Sequence, residues 1–126
     1  YFYISTHGFG YGCGYYKTDR ESMDEMRAMI LAWAQEYKKA YKALKDNSKF
    51  VLFGDEYKRD HFPNASREDA LWLNKKDIGV SFDSEDPKLL FNVNLLDTVC
   101  SDLASLGDVY GFFMRAEDNI LQKKVK

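Results

Sequence analysis

Apolar side chains at Met26, Ile30, Trp33, Tyr37, Ala40 and Leu44 recur at alternating steps of four and three, and Met29 and Tyr41 widen the stripe. A helix of 3.6 residues per turn brings such positions to one face, so the pattern predicts an amphipathic helix. Ser22-Met23-Asp24-Glu25 has the form of a capping box, in which the serine oxygen accepts from a backbone N–H three residues on. The helix is therefore expected to run from Met23 to Lys45. At 1.5 Å per residue it would span about 35 Å, long for a chain of this size. Part of the stripe is expected to meet another subunit, giving a homo-oligomer.

Elsewhere the period shortens to two. Tyr1 to Ser5 is aromatic and β-branched and reads as a strand. From Gly8 to Tyr16 glycine alternates with bulky residues, so large side chains would share one face of a strand and bare backbone the other. Phe50-Val51-Leu52-Phe53 is a continuous apolar run that suits a buried strand, and Ile78 to Asp83 reads as another. Past Pro87 the alternation Leu89, Phe91, Val93, Leu95 puts apolar side chains on one face and Leu90, Asn92 and Asn94 on the other. Val109 to Arg115 reads as a final strand.

Two shorter helices complete the set. Ser66 and Asp69 repeat the cap spacing before a helix ending near Lys76. Asp97 is placed to cap a helix through Val99, Leu103 and Leu106, with Gly107 as its left-handed stop. Strands fall between helices without a βαβ rhythm, which predicts an α+β fold: a mainly antiparallel sheet packed on one long amphipathic helix with two shorter helices. No repeat or linker divides residues 1–126, so a single domain is expected.

Composition narrows the function. Of 126 residues 18 are basic and 20 acidic, a net charge of −2 that gathers no polyanion, so nucleic acid is not an expected partner. Lys123, Lys124 and Lys126 form the sole basic cluster and read as a solvated terminus. No apolar run reaches the ~20 residues of a membrane span, so no membrane partner is expected. With only Cys13 and Cys100, free thiols in a reducing cytoplasm are the expectation. Aromatic residues reach 16%, an excess that serves a core, an interface or a ligand pocket.

Catalytic chemistry is thin. His7 and Cys13 offer a base and a nucleophile without a third orienting group. His61 with Asp55, Glu56 and Asp60 matches no defined metal spacing, and a solvated acidic loop is the plainer reading. Gly10, Gly12 and Gly14 fit neither the dinucleotide fingerprint nor the P-loop. No catalytic residue, metal or cofactor is therefore assigned.

Binding chemistry is better represented. Amides at Asn92 and Asn94, two apart on a strand, point the same way and suit the hydrogen-bonding edge of a base. Phe82 and Met114-Arg115 on other strands would hold a planar ligand between ring and guanidinium, with the cation meeting phosphate. The plainer alternative leaves both amides in water, Phe82 in the core and Arg115 paired with Glu117.

Phe82, Phe91-Asn92-Val93-Asn94 and Met114-Arg115 together resemble the pocket pattern of the phage anti-Thoeris sponge family, with a departure at Asn94, where an acidic residue belongs. The resemblance implies an oligomeric protein that sequesters cyclic ADP-ribose signals without hydrolysing them. Asn92 and Asn94 would then read the adenine, Phe82 and Arg115 would stack on it, and Lys58 and Arg59 would meet the pyrophosphate. Ile4 and Met114 complete the candidate ligand set. The reading is a non-enzymatic, cytoplasmic, phage-type anti-defence protein that binds a small nucleotide. A protein-binding inhibitor, such as an anti-CRISPR or toxin immunity protein, is the alternative from another class.

Overall fold

In the computed structural model, which describes residues 1–15 and 17–125, the chain is α+β. Its elements in order are β1 (Phe2–Ser5), β2 (Gly8–Gly14), α1 (Arg20–Leu31), α2 (Gln35–Asp46), β3 (Val51–Phe53), α3 (Arg67–Leu73), β4 (Gly79–Ser84), α4 (Pro87–Leu90), α5 (Leu95–Ser105) and α6 (Gly107–Val125). The strands form one antiparallel sheet in the order β1-β2-β4-β3. Tyr16, at the end of the glycine stretch, and Lys126, in the basic tail, lie outside the described residues.

The alternation along β2 separates two faces. Tyr11 lies opposite Phe82, and Cys13 opposite Val80, so these side chains share the face that packs on the helices. The glycines share the other face with Tyr3 and Phe53, whose rings lie across the bare backbone. A β-carbon on Gly10 would come within 2.5 Å of the Tyr3 ring, and one on Gly79 within 2.2 Å of the Phe53 ring. The Tyr3 hydroxyl reaches beyond β2 to donate to Asp83 on β4 at 2.5 Å. The short run at Val51 to Phe53 is an edge strand with Val51 exposed, not the buried strand its composition suggests.

The long amphipathic stripe folds as two helices. Asp19, not Ser22, caps the first: its side chain accepts from the Ser22 N–H at 2.7 Å, and the Ser22 hydroxyl donates instead to Glu117. α1 ends in a Schellman turn, with Trp33 N–H on the Ile30 carbonyl, Ala34 N–H on the Met29 carbonyl, and Trp33 at φ 54°. Glycine usually takes that left-handed position; a larger side chain costs roughly 1–2 kcal/mol there. The stripe continues across the break: both helices pack on α6, Tyr37 meets Phe112 there, and Met26, Ile30, Tyr37 and Ala40 are buried within the chain. Trp33 alone leaves the stripe and is 59% exposed.

The last third departs from the strand assignments. Asp86 caps α4 by accepting from the Lys88 N–H at 2.9 Å, with Pro87 at its first position. Asn92 Oδ1 then accepts from the Asn94 N–H at 2.8 Å in an Asx turn that leads into α5. Leu89 to Leu95 is thus helix, turn and helix start: asparagine competes for local backbone bonds more strongly than the alternation favours a strand. α5 begins before Asp97, and α6 follows it directly, so Gly107 starts a helix instead of ending one. Val109 to Arg115 lies inside α6. Its buried residues Val109, Phe112, Phe113, Ala116 and Ile120 follow a helical period.

Candidate functional site

A cleft of about 250 Å³ lies between the helix-facing side of the sheet and the turn joining α4 to α5. Its floor is aromatic. The Phe82 ring centroid lies 5.4 Å from that of Tyr11 and 6.4 Å from that of Phe9. Leu89 and Leu95 flank the turn, which brings Asn92 and Asn94 to the rim. The Asn92 oxygen is used by its own turn. Asn94 makes no side-chain cap on α5, so its amide and the Asn92 NH₂ point no bond at the chain among the described residues.

Lys49, just before β3, supplies a cation. Its Nζ sits 4.9 Å from the Phe82 centroid and 5.8 Å from that of Tyr11, over the ring faces, and pairs with Asp102 of α5. The Tyr11 hydroxyl donates to the same Asp102 carboxylate at 2.6 Å. Burial pulls the Lys49 ammonium down, but its bonds to Asp102 and Tyr11 outweigh that and hold it above its ordinary value. Burial, and then the bond to Asp102, raise the Tyr11 phenol. The lysine therefore stays charged at neutral pH beside an aromatic floor. No carboxylate, histidine or thiol lines the cleft among the described residues. What it offers is stacking, hydrogen bonding and one positive charge.

Of the residues expected from sequence, Phe82, Asn92 and Asn94 converge here. The others do not. Met114 lines a separate cavity with Tyr1, Cys13 and Tyr15, and Arg115 pairs with Glu36 of α2 at 3.9 Å instead of with Glu117. Both follow from α6 being a helix, which directs these side chains away from the turn of Asn92. Lys58 and Arg59 are exposed on the connection between β3 and α3, and Ile4 is exposed on the edge strand; none of the three lines the cleft.

The other candidates are also separated. His7 lies in the turn before β2, whereas Cys13 is near the far end of that strand, where burial pushes its thiol up to about 11. Cys13 and Cys100 are not joined by a disulfide. His61 stacks on Tyr57 at 4.0 Å, Glu56 pairs with Lys75, and Asp60 accepts from Phe62 and Asn74. No group of three metal-capable side chains gathers among the described residues. Lys123 and Lys124 are not a free tail: they pair with Glu25 and Glu21 of α1. No helix among the described residues is long and apolar enough to cross a membrane.

A family model described as a conserved hypothetical protein matches residues 1–112, nearly nine-tenths of the chain. The chain belongs to the DUF2461 family. In this DUF2461 chain the match takes in the whole sheet and every residue of the cleft, and stops short of Met114 and Arg115. No curated protein and no solved structure matches it.

Sequence reasoning missed Lys49, Tyr11 and Asp102, and Thr98 of α5, which also lines the cleft. The bulky positions of the glycine ribbon marked Tyr11 as an inward-facing side chain. Lys49 carries no comparable signal, because only the sheet order brings the start of β3 alongside β4 and under Phe82.

Proposed function

We propose that this DUF2461 chain binds a small nucleotide in the Phe82 cleft and holds it without chemical change. The observation that carries the reading is the convergence of an aromatic face, a charged lysine and two asparagine amides on one cavity. A base would stack on Phe82, its edge would meet Asn92 and Asn94, and Lys49 would meet a phosphate in place of Asp102. The volume of about 250 Å³ falls below the ~300–1,000 Å³ of pockets that enclose drug-sized ligands, which favours one nucleotide unit inside the cleft.

In its narrower form the ligand is a cyclic ADP-ribose isomer, and the protein a homo-oligomeric phage-type sponge in the host cytoplasm, where Cys13 and Cys100 stay reduced. Self-association in this reading uses the apolar rim of the cleft. Titration calorimetry with AMP and with cyclic ADP-ribose isomers tests both forms. Saturable heat that falls at least about tenfold in Asn92→Ala and Lys49→Met is expected, with the ligand recovered intact on denaturation. Silence from all of them would remove the proposal, and recovery of a cleaved product would replace it with an enzyme.

One observation favours a second reading. Phe91, Val93 and Leu96 stand 81%, 96% and 73% exposed around the same turn, as expected of a protein-binding surface. An inhibitor of another protein would retain a stoichiometric partner through these side chains and lose it in Phe91→Ser.

A further inference from the structure

A larger cavity, about 470 Å³, opens where the α1–α2 junction meets the loop preceding α3, and it shares no lining residue with the Phe82 cleft. We propose that it is a binding site for an organic cation with an apolar body, an alkylammonium or guanidinium group held between the indole of Trp33 and the carboxylate of Asp69. Asp69 is 9% exposed. Its Oδ1 accepts from the Tyr37 hydroxyl at 2.5 Å, while no described donor reaches Oδ2. No fully enclosed side-chain oxygen among the described residues is left unbonded, so Oδ2 keeps some open surface, and Asp69 lines this cavity. A buried carboxylate with an open oxygen favours a positive partner.

The lining agrees in charge and shape. It contains no lysine or arginine, its histidine, His61, stacks on Tyr57, and Ile30, Phe62, Pro63 and Leu73 give an apolar wall for an aliphatic body. The indole ring already draws a cation: the Lys38 ammonium lies 5.8 Å from its centroid. Indole is the best of the aromatic faces for that contact. The turn itself would be satisfied by glycine, since its two closing bonds use backbone atoms only. A half-exposed tryptophan in a left-handed conformation, lining this cavity, is therefore placed for contact with a ligand and not for the turn.

Protein-observed NMR with n-butylammonium as probe, and n-butanol and n-butyrate as controls, tests the assignment. Butylammonium should shift the Trp33 indole N–H saturably and bind at least about tenfold more tightly than either control. Trp33→Gly should weaken it by about tenfold while the thermal midpoint holds or rises, and Asp69→Asn should weaken it comparably. Lys38→Ala, which frees the indole face, should tighten it. A lysine-containing hexapeptide that binds about tenfold better than butylammonium assigns the cation to a polypeptide side chain, and equal affinities assign it to a free amine. Butanol matching butylammonium would overturn the proposal. So would unchanged affinity in folded Trp33→Gly, which decides the matter even if Asp69→Asn fails to fold.

Discussion

α6 and the stretch from Leu89 to Leu96 are both rich in large apolar side chains, and the fold treats them in opposite ways. In α6 the residues Val109, Phe112, Phe113 and Ala116 are all buried; Phe112 meets Tyr37 at 5.6 Å and Trp72 at 5.9 Å. Around the α4–α5 turn, Leu89, Phe91, Val93 and Leu96 are all exposed. The difference is spacing, not hydrophobicity. The α6 set repeats at three and four along a helix that α1 and α2 can both cover, whereas the turn interrupts the other set and scatters it around the cleft. Apolar density says how much could be buried; period and neighbours say where.

Core truncation should separate the two regions most sharply. Phe112→Ala is expected to cost about 3–5 kcal/mol, because its neighbours come from α2, α3 and α6 and cannot all close the gap. Phe91→Ala, measured in the same denaturant series, should stay within about 0.5 kcal/mol of the parent. Equal losses would erase the contrast.

Removing a single hydroxyl should have an intermediate effect. Tyr37→Phe deletes the donor to Asp69 and is expected to cost about 1–3 kcal/mol at neutral pH. Burial first, and then the bonds to Asp69 and Glu117 respectively, hold the Tyr37 and Tyr15 phenols above their ordinary value. A raised pKa contributes stability that is fully present below the unfolded value of about 10 and is lost as pH climbs above it. Melting temperatures should therefore fall steeply beyond pH ~10, and less steeply in Tyr37→Phe. A flat alkaline profile would contradict the buried phenols.

The smallest change belongs to the rim of α6. Lys123→Ala breaks a pair with Glu25 that is mostly open to solvent on the lysine side, and should cost about 0.5 kcal/mol or less, fading with added salt. A loss of several kcal/mol would mean that charge, not the apolar stripe, fixes α6 to α1.

These contrasts also explain what was legible in the chain. The glycine ribbon, the cap at Ser66, the strand at Ile78 and the stripes of α1 and α2 were readable because each is a local rule with one outcome. The break at Trp33 was not, since no glycine or proline announces it and the stripe keeps its phase through it. Leu89 to Leu95 misled because two-residue alternation and an Asx turn look alike until the asparagine oxygen is seen to cap its neighbour. Val109 to Arg115 reads as a strand although Val109, Phe112, Phe113 and Ala116 already carry the helical period that α6 adopts. At the site, Phe82 and the two asparagines were recognised by residue type, whereas Lys49 and Asp102 depend on which strands become neighbours, and a linear reading does not contain that.

The aromatic rings laid across Gly10 of β2 and Gly79 of β4 set a thickness. On an ordinary sheet, upright side chains keep a stacked layer about 10 Å away. Here Tyr3 and Phe53 lie over backbone that has no β-carbons beneath them, so a flat neighbour on this side could settle closer to the strands than conventional sheet stacking allows. Alanine at Gly79 would push the Phe53 ring outward, and at Gly10 it would meet the Asp83 carboxylate and the Phe82 carbonyl as well as the Tyr3 ring, which makes these two glycines spacers as much as strand residues.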